Sequence, residues 1–575
     1  MEKELELKSK TGFVTAVIFL FALLIRLIGL GSSSLTMNEA ENAMAALRLF
    51  QNGSNSQLLY TLPTALMFKF FGSSEFCARL LPALMGSFLV LLPLLLKNRI
   101  GLSKSLLLSF LFAVDPVLLF WSKRADAVIP ALMLFAAALV FLQNGWNTAA
   151  VVCFLIALCG GERVWPVVLL TCVWAVLVHF LPGNCSFSIM QRNFRRKDIL
   201  IGLLVFGLFC CCFGIFPGGF AGFGRGFTAV FLHGPQWLYP GPAAELIALG
   251  LYCGIPLVFF VVSCFRNCSF FKLGFAAVAL AVLMLWQGIV MLPWIVSFLW
   301  VESADEILRL LGRLSGPKDF AFYLAACLVP CAYAFFYFRL VELFRNTNGN
   351  ELIQIQINGT MQSLPLTRFQ GTVLLMAASV LIIALIVKIL LGFLESDSIR
   401  RGMLCGSVIA LSWVLITGLW NSAGIDRVGD HPAAPHTENT ANILNGAYTS
   451  YTNTALFEFL DETIAKHGDS KNTQFGLNLI VNDPMLDWYF RQYPGIKTTA
   501  NSNTDLTGID LILDRTDTPR NGQGYAGARL SWRGTMDWKR MSLQDWGQWL
   551  IFGDGKLTED APLTLWVRGD YIYSF

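Results

Sequence analysis

The feature that most constrains this chain is the recurrence of apolar runs long enough to cross a bilayer. Runs approaching or reaching the roughly 17–25 residues that a helix needs to span the hydrocarbon core fall near 13–31, 80–96, 103–121, 127–143, 147–160, 164–181, 199–216, 244–264, 273–292, 320–338, 371–394 and 403–420. A further span at 293–302 depends on whether Pro293-Trp294 divides one apolar run into two. With 55% hydrophobic and 14% charged residues and a mean hydropathy of +0.59, the chain carries more apolar side chain than a soluble core of 575 residues needs. It reads as a polytopic α-helical membrane protein.

Charge then reports topology. A formal net charge of +4 is too small to point to nucleic acid. The basic clusters Lys97/Arg99/Lys104, Arg192/Arg195/Arg196/Lys197 and Arg266/Lys272 share one side of the membrane if the N-terminus is cytoplasmic. The loop after the first span then faces outward, as do residues 122–126, 160–163 and 216–245. Met1 to Lys10 is charged and leads into the apolar run Phe13 to Leu30, which reads as an uncleaved first span. The 14 cysteines, none after Cys405, show neither a disulfide framework nor a Cys/His metal spacing. Lys388 is the one intramembrane charge noted as a candidate for a transport path.

Residues 1–420 therefore form the membrane part, 421–445 a polar linker, and 446–575 a small α/β domain. In the last, Gly476–Val481, Ile509–Leu513, Ala528–Trp532 and Leu563–Val567 read as strands, and Leu456–His467 and Leu543–Phe552 as helices. The alternation Glu351 to Ile357 followed by Asn358-Gly359 predicts a separate small hairpin within 346–368.

Chemistry is densest just after the first span. In the stretch Thr36 to Phe50, Glu39 and Glu41 open a helical pattern with apolar residues at 40, 43, 44, 47 and 50. One apolar face results, and the segment is expected to lie along the bilayer surface. Acidic residues at a helix start are also what the helix dipole favours.

The pattern continues with a Pro-containing helix around Pro63 and then Phe71-Gly72-Ser73-Ser74-Glu75-Phe76-Cys77-Ala78-Arg79-Leu80-Leu81-Pro82-Ala83-Leu84. This layout resembles the dolichyl-phosphate-mannose protein mannosyltransferase-like superfamily (family 39). Its members are GT-C-type transferases that take a sugar from a polyprenyl phosphate. Asp115 to Asp126 is similar to the family's second outward loop, and Gly161-Glu162-Arg163 stands where relatives carry a Lys-Glu pair. Segments 447–461, 486–494 and 565–568 look like the C-terminal domain of a bacterial and archaeal branch described as flippase-associated.

The resemblance implies a GT-C-like fold of about 13 transmembrane helices, a bacterial or archaeal cytoplasmic membrane, and a C-terminal domain outside it. It implies a polyprenyl-phosphate sugar as donor and a glycan, lipid or protein as acceptor. No cofactor is implied with certainty, and the need for a divalent metal stays open. Displacement at an anomeric carbon needs a carboxylate base and cations for the departing phosphate.

On this basis Glu39 is the expected base and Asp126 an acid that orients the acceptor. Arg124, Lys123, Arg163 and Arg225 are phosphate-binding candidates, and Glu41, His233 and Trp237 are candidates for acceptor or sugar. Arg124 and Arg163 would equally snorkel to the interface, and the aromatic stretch around His233 would equally pack there as a belt. The family's acidic pair is typically Asp-Glu with the first member as base, and here that first member is Asn38. Either a neighbouring glutamate has taken the role, or the fold persists as a non-catalytic scaffold with partner subunits in a membrane complex. A lipid-linked-glycan transporter is a third reading.

Overall fold

The structure, a computed structural model, describes residues 2–31, 35–52, 56–180, 195–214, 216, 218–232, 242–267, 270–313, 320–345, 352–357, 360–367, 373–374, 377–378 and 397–414. Towards the C-terminus it describes 448–449, 477–479, 483–491, 497–498, 511–514, 524–536, 541–542, 545–546 and 557–568. Lys388, the 421–445 linker and the expected helix at 456–467 lie outside these residues. The chain divides into two compact units, one of residues 1–304 with 427–538 and 557–575, the other of residues 305–426 with 539–556.

In the first unit the apolar runs become helices that make this an integral membrane protein. Three described helices are long and apolar enough to cross a bilayer, or up to five if each bent pair is one span. Leu102–Val114 and Pro116–Ser122 meet at 58°. The bend falls at Asp115-Pro116, because a proline at the first helical position starts a new helix and an aspartate before it caps that helix. The Asp115 carboxylate accepts from the Leu118 N–H at 2.9 Å.

The runs expected as separate spans at 147–160 and 164–181 are two arms bent by 117°. Gly161 makes the corner with φ 61° and ψ −136°, which a residue with a Cβ enters only under strain. A Cβ there would also lie 2.3 Å from the Ser56 carbonyl oxygen, and one on Gly226 would lie 2.7 Å from the same oxygen. Two glycines thus let three backbone segments meet behind Glu162 and Arg163. Gly161→Ala is expected to cost on the order of 2 kcal/mol, read as a lower unfolding temperature of the detergent-solubilised protein.

Past residue 270 the apolar run does divide in two, and the break lies at Gly288 (φ 64°) rather than at Pro293. Helix Leu292–Arg313 begins just before Pro293, where a missing N–H leaves no helical bond unmade.

A six-stranded mixed sheet belongs to the same unit. Its order is Tyr448–Thr449, Tyr525–Met536, Leu557–Arg568, Leu511–Asp514, Leu477–Leu479 and Lys497–Thr498. Leu511–Asp514 pairs antiparallel with the long strand, Leu513 opposite Leu565, and parallel with Leu477–Leu479. Alternation sends Leu513, Leu563 and Leu565 to one face, where they join Met485, Leu486, Trp488 and Phe490 of helix Pro484–Phe490.

That cluster continues into Ala40, Ala43, Met44 and Ala46 of helix Met37–Leu47, here called the loop helix, and into Tyr60, Phe68, Ala78 and Leu81. The apolar face of the loop helix, expected to rest on lipid, is covered by protein instead. Phe50, expected to continue that face, is 41% exposed.

Polar contacts fasten the same seam. The Trp488 indole N–H donates to Glu75 at 2.8 Å, Arg491 donates to the Ser73 carbonyl at 2.7 Å, and the Arg491 guanidinium lies 3.6 Å from the centre of the Trp488 ring. Arg48 reaches Asp487 at 3.4 Å. Trp488→Phe keeps an aromatic side chain but trims the buried indole and loses its bond to a partly exposed carboxylate, so about 1–3 kcal/mol is expected. Faster amide hydrogen exchange over residues 37–48 would report it.

In the second unit the hairpin predicted from the Glu351 to Ile357 alternation is present, Leu352–Ile357 pairing antiparallel with Thr360–Thr367. Helix Asp397–Val414 packs on Phe320–Arg345, with Gly402 and Gly406 against the Phe322 and Ala326 carbonyls. Such small-residue spacing admits close helix contact in membranes.

Candidate active site

Glu39 is the centre of the first outward loop, and it has a different part from the one its sequence position suggests. It sits third in the loop helix, where its Oε2 accepts from the backbone N–H and hydroxyl of Thr36, both at 3.0 Å. Arg79 donates to Oε1 at 2.8 Å and to Oε2 at 3.0 Å, Arg124 to Oε2 at 2.8 Å, and the Ala125 N–H to Oε1 at 3.0 Å.

Only 3% of Glu39 is exposed. Burial alone would raise its pKa, but Arg79, Arg124 and the hydrogen bonds outweigh burial and hold the carboxyl well below the usual carboxylate range. A carboxylate so bound has little basicity and no open lone pair for an acceptor proton. Glu39, expected as the base, is instead the joint that binds three segments.

Its partners explain the motif that follows. Arg79 is 3% exposed, lies in helix Glu75–Leu89 and also donates to the Leu30 carbonyl at 3.1 Å. It thereby ties the loop helix to the end of the first membrane helix. Sequence reasoning quoted Arg79 without giving it a part, although an arginine within an apolar helix is itself a signal for a buried partner.

The same signal applies to Arg26, fully buried in the first helix. It donates to the Phe112 carbonyl at 3.0 Å and the Ser122 hydroxyl at 3.2 Å. Nearby, Asp115 accepts from the Trp300 indole at 2.8 Å. Among the described residues Arg26 is, with Arg79, a charge within an apolar helix that has a visible role. It secures the bent helix that leads into Lys123.

The turn 123–126 comes next. The Asn42 side-chain amide donates to the Ala125 carbonyl at 2.9 Å, so Ala125 is held to the loop helix through both backbone groups. Arg124 lies 4.6 Å from the Phe120 ring centre, with 18% of its side chain exposed. Lys123 donates to the Ile28 carbonyl at 3.0 Å. Burial, then the neighbouring Arg26 and Arg79, push its ammonium down to about 8, so it carries its charge at neutral pH.

Asp126 accepts from the Val128 N–H at 2.9 Å and meets Arg163 at 3.3 Å. Burial pushes its carboxyl up, with Arg163 and the Val128 N–H opposing. Arg163 also faces Glu162 at 3.6 Å.

Asn38 and Glu41 are both exposed. They lie three residues apart, one turn from each other on the exposed part of the loop helix, and the charge of Glu41 acts on Arg163. Arg225 is exposed on helix Gly219–Leu232, which abuts the corner at Gly161 through Gly226. His233 and Trp237 lie outside the described residues. Among those residues, no group of three or more His, Cys, Asp and Glu side chains could hold a metal ion.

The structure therefore brings Arg124, Asp126 and Arg163 together at one turn within range of the Glu41 charge, with Glu39 and Arg79 as its foundation. No protein-family model matches this chain, and no curated protein matches it. Among solved structures it is similar to ArnT from Cupriavidus metallidurans in the apo state, with a TM-score of 0.47 and 13% identity over 89% of this chain and 94% of that one. It is similar also to ArnT from the same organism bound to undecaprenyl phosphate, with a TM-score of 0.48 and 12% identity over 88% and 94%. At that level of similarity the roles of individual residues rest on this chain's own geometry.

Proposed function

We propose that the chain is an integral membrane glycosyltransferase that moves a sugar from a polyprenyl-phosphate donor to an acceptor outside the cytoplasm. The observation that carries this reading is the exposed Glu41, whose charge acts on Arg163, beside a turn where Arg124 and the Asp126–Arg163 pair meet the loop helix. Glu41 takes the acceptor hydroxyl's proton. The acceptor oxygen attacks the anomeric carbon from the face opposite the phosphate, and the carbon–oxygen bond to phosphate breaks with its electron pair leaving on the phosphate. Arg124 and Arg163, with Lys123 and Arg225 at the margin, hold the charge that develops there. Asp126 keeps Arg163 in place through the pair at 3.3 Å.

On this reading residues 1–420 are the membrane part of about 13 helices. The sheet-bearing residues 446–575 lie outside, on the same side as the loop helix whose core they complete. The test is turnover of short-chain polyprenyl-phosphate sugars by the purified protein. Sugar transfer or donor hydrolysis that falls on Arg163→Gln is expected, whereas turnover indifferent to Arg163→Gln would overturn the site.

Asn38 favours a second reading. It is exposed at the position where the family carries its base, and an amide takes up no proton. A scaffold built on the same fold would bind partner subunits and turn over no donor.

A further inference from the structure

We infer that Cys159 and Cys210 are a disulfide site that pins the corner bearing Glu162 and Arg163. Their sulfur atoms lie 3.8 Å apart, and both thiols are free and buried, with 1% of each residue exposed.

The contact is the last of a series in one register. The Thr148 hydroxyl donates to Asp198 at 2.5 Å, a Cβ on Gly202 would lie 2.5 Å from Val151, and Cys159 then meets Cys210. The partners are 50, 51 and 51 residues apart, so helices Asn147–Ala157 and Arg196–Cys210 run side by side in the same direction and in close contact. Two sulfurs held at van der Waals separation reach bonding distance, about 2.05 Å, by side-chain torsion with a small backbone adjustment.

The ends of the two helices differ in surroundings. Arg195, Arg196 and Lys197 stand at the Thr148–Asp198 end, which the positive-inside rule places in the cytoplasm. The cysteines stand at the opposite end, beside Gly161 and the candidate site. That side is the oxidising one, and this clause rests on the membrane orientation proposed above.

Closure is thiol–disulfide exchange with a donor disulfide, protein or small molecule, of that compartment. One cysteine thiolate attacks the donor disulfide and displaces one of its sulfurs. The second cysteine thiolate then displaces the other, and the donor leaves as two thiols carrying the two protons. The burial of both sulfurs places this exchange during folding, before the helices close on each other. The product fixes the Leu158–Arg163 corner to the end of helix Arg196–Cys210.

The test uses the full chain in its native membrane, denatured directly into a maleimide without reductant, then digested and analysed by mass spectrometry. Expected is a linked peptide pair joining Cys159 to Cys210, two hydrogens lighter than the sum of its parts and released by reductant. Cys159→Ser is expected to make Cys210 reactive to the maleimide. Both residues alkylated in the unreduced protein, or Cys210 retained in a linkage in the Cys159→Ser variant, would overturn the proposal. Labelling of Phe71→Cys, exposed in the first loop, by a membrane-impermeant maleimide on whole cells tests the orientation separately. Labelled Phe71→Cys with free Cys159 and Cys210 would remove the disulfide and leave the site reading standing.

Discussion

Glu39→Gln is expected to lower the yield of folded, detergent-extractable protein and to bring unfolding down by many degrees. The carboxylate accepts from Thr36, Arg79, Arg124 and Ala125 inside a core where it and Arg79 are each 3% exposed. An amide removes the charge and turns one acceptor into a donor, which then faces guanidinium N–H groups. Breaking one side of a buried ion pair costs about 3–5 kcal/mol, because the other charge stays buried without compensation. Adding Arg79→Leu should recover part of the loss by removing that stranded charge, although Arg124 still lacks its partner. Thermal unfolding followed by size-exclusion chromatography reads both variants. A Glu39→Gln protein as stable as the parent would show that the six-donor arrangement does not hold the loop together.

Glu41→Gln is expected to leave the fold intact and remove the chemistry. Glu41 is exposed on the loop helix, so its loss strands no buried partner. General-base catalysis contributes about 10²–10⁴-fold, and sugar transfer should fall by that order at an unchanged unfolding temperature. The companion variant Asn38→Asp restores a carboxylate one turn earlier on the same face and is expected to raise turnover, and to rescue Glu41→Gln. Transfer that persists in Glu41→Gln would sink Glu41 as the base. A parent protein without turnover that gains it through Asn38→Asp would establish the scaffold reading instead.

That the chain is mostly apolar helix was legible because hydropathy over a span-length window needs no knowledge of neighbours, although three to five described helices, not about thirteen, meet the length of a span. The 58° bend at Asp115-Pro116 breaks the run read as one span at 103–121; its signature is local, since cap and proline chemistry acts within one turn, but hydropathy does not register it. The 117° corner at Gly161 was not legible. Its cause is the Ser56 carbonyl and Gly226, both far away in sequence.

The candidate site divided along the same line. Residues 123–126 and 162–163 were singled out by the family resemblance and by their place in loops between apolar runs. The choice between Glu39 and Glu41 was not, because two acids two residues apart face different sides of a helix and only the tertiary partners say which side is buried. Those partners, Arg79 and Arg124, turn the first acid into a structural joint and leave the second exposed. The apolar stripe at 40, 43 and 44 was correctly seen as one face, yet no local signal says whether lipid or Leu486 and Leu565 will cover it.

That cover has a consequence for how the protein is made. The loop helix leaves the first span early in synthesis, but its Arg48 awaits a partner 439 residues further on, and Glu75 awaits Trp488 across 413. At about 5–20 residues per second, a ribosome needs roughly 20–90 s to supply the 439-residue partner. Through that interval Ala40, Ala43 and Met44 have no Leu486 or Leu565 beside them. The nascent chain must hold an apolar loop in check until residues 484–490 emerge, so a ribosome that stops shortly before residue 484 leaves membrane helices already made and the first loop unfinished. Quality control in the membrane would meet that species as an open hydrophobic seam beside otherwise completed spans.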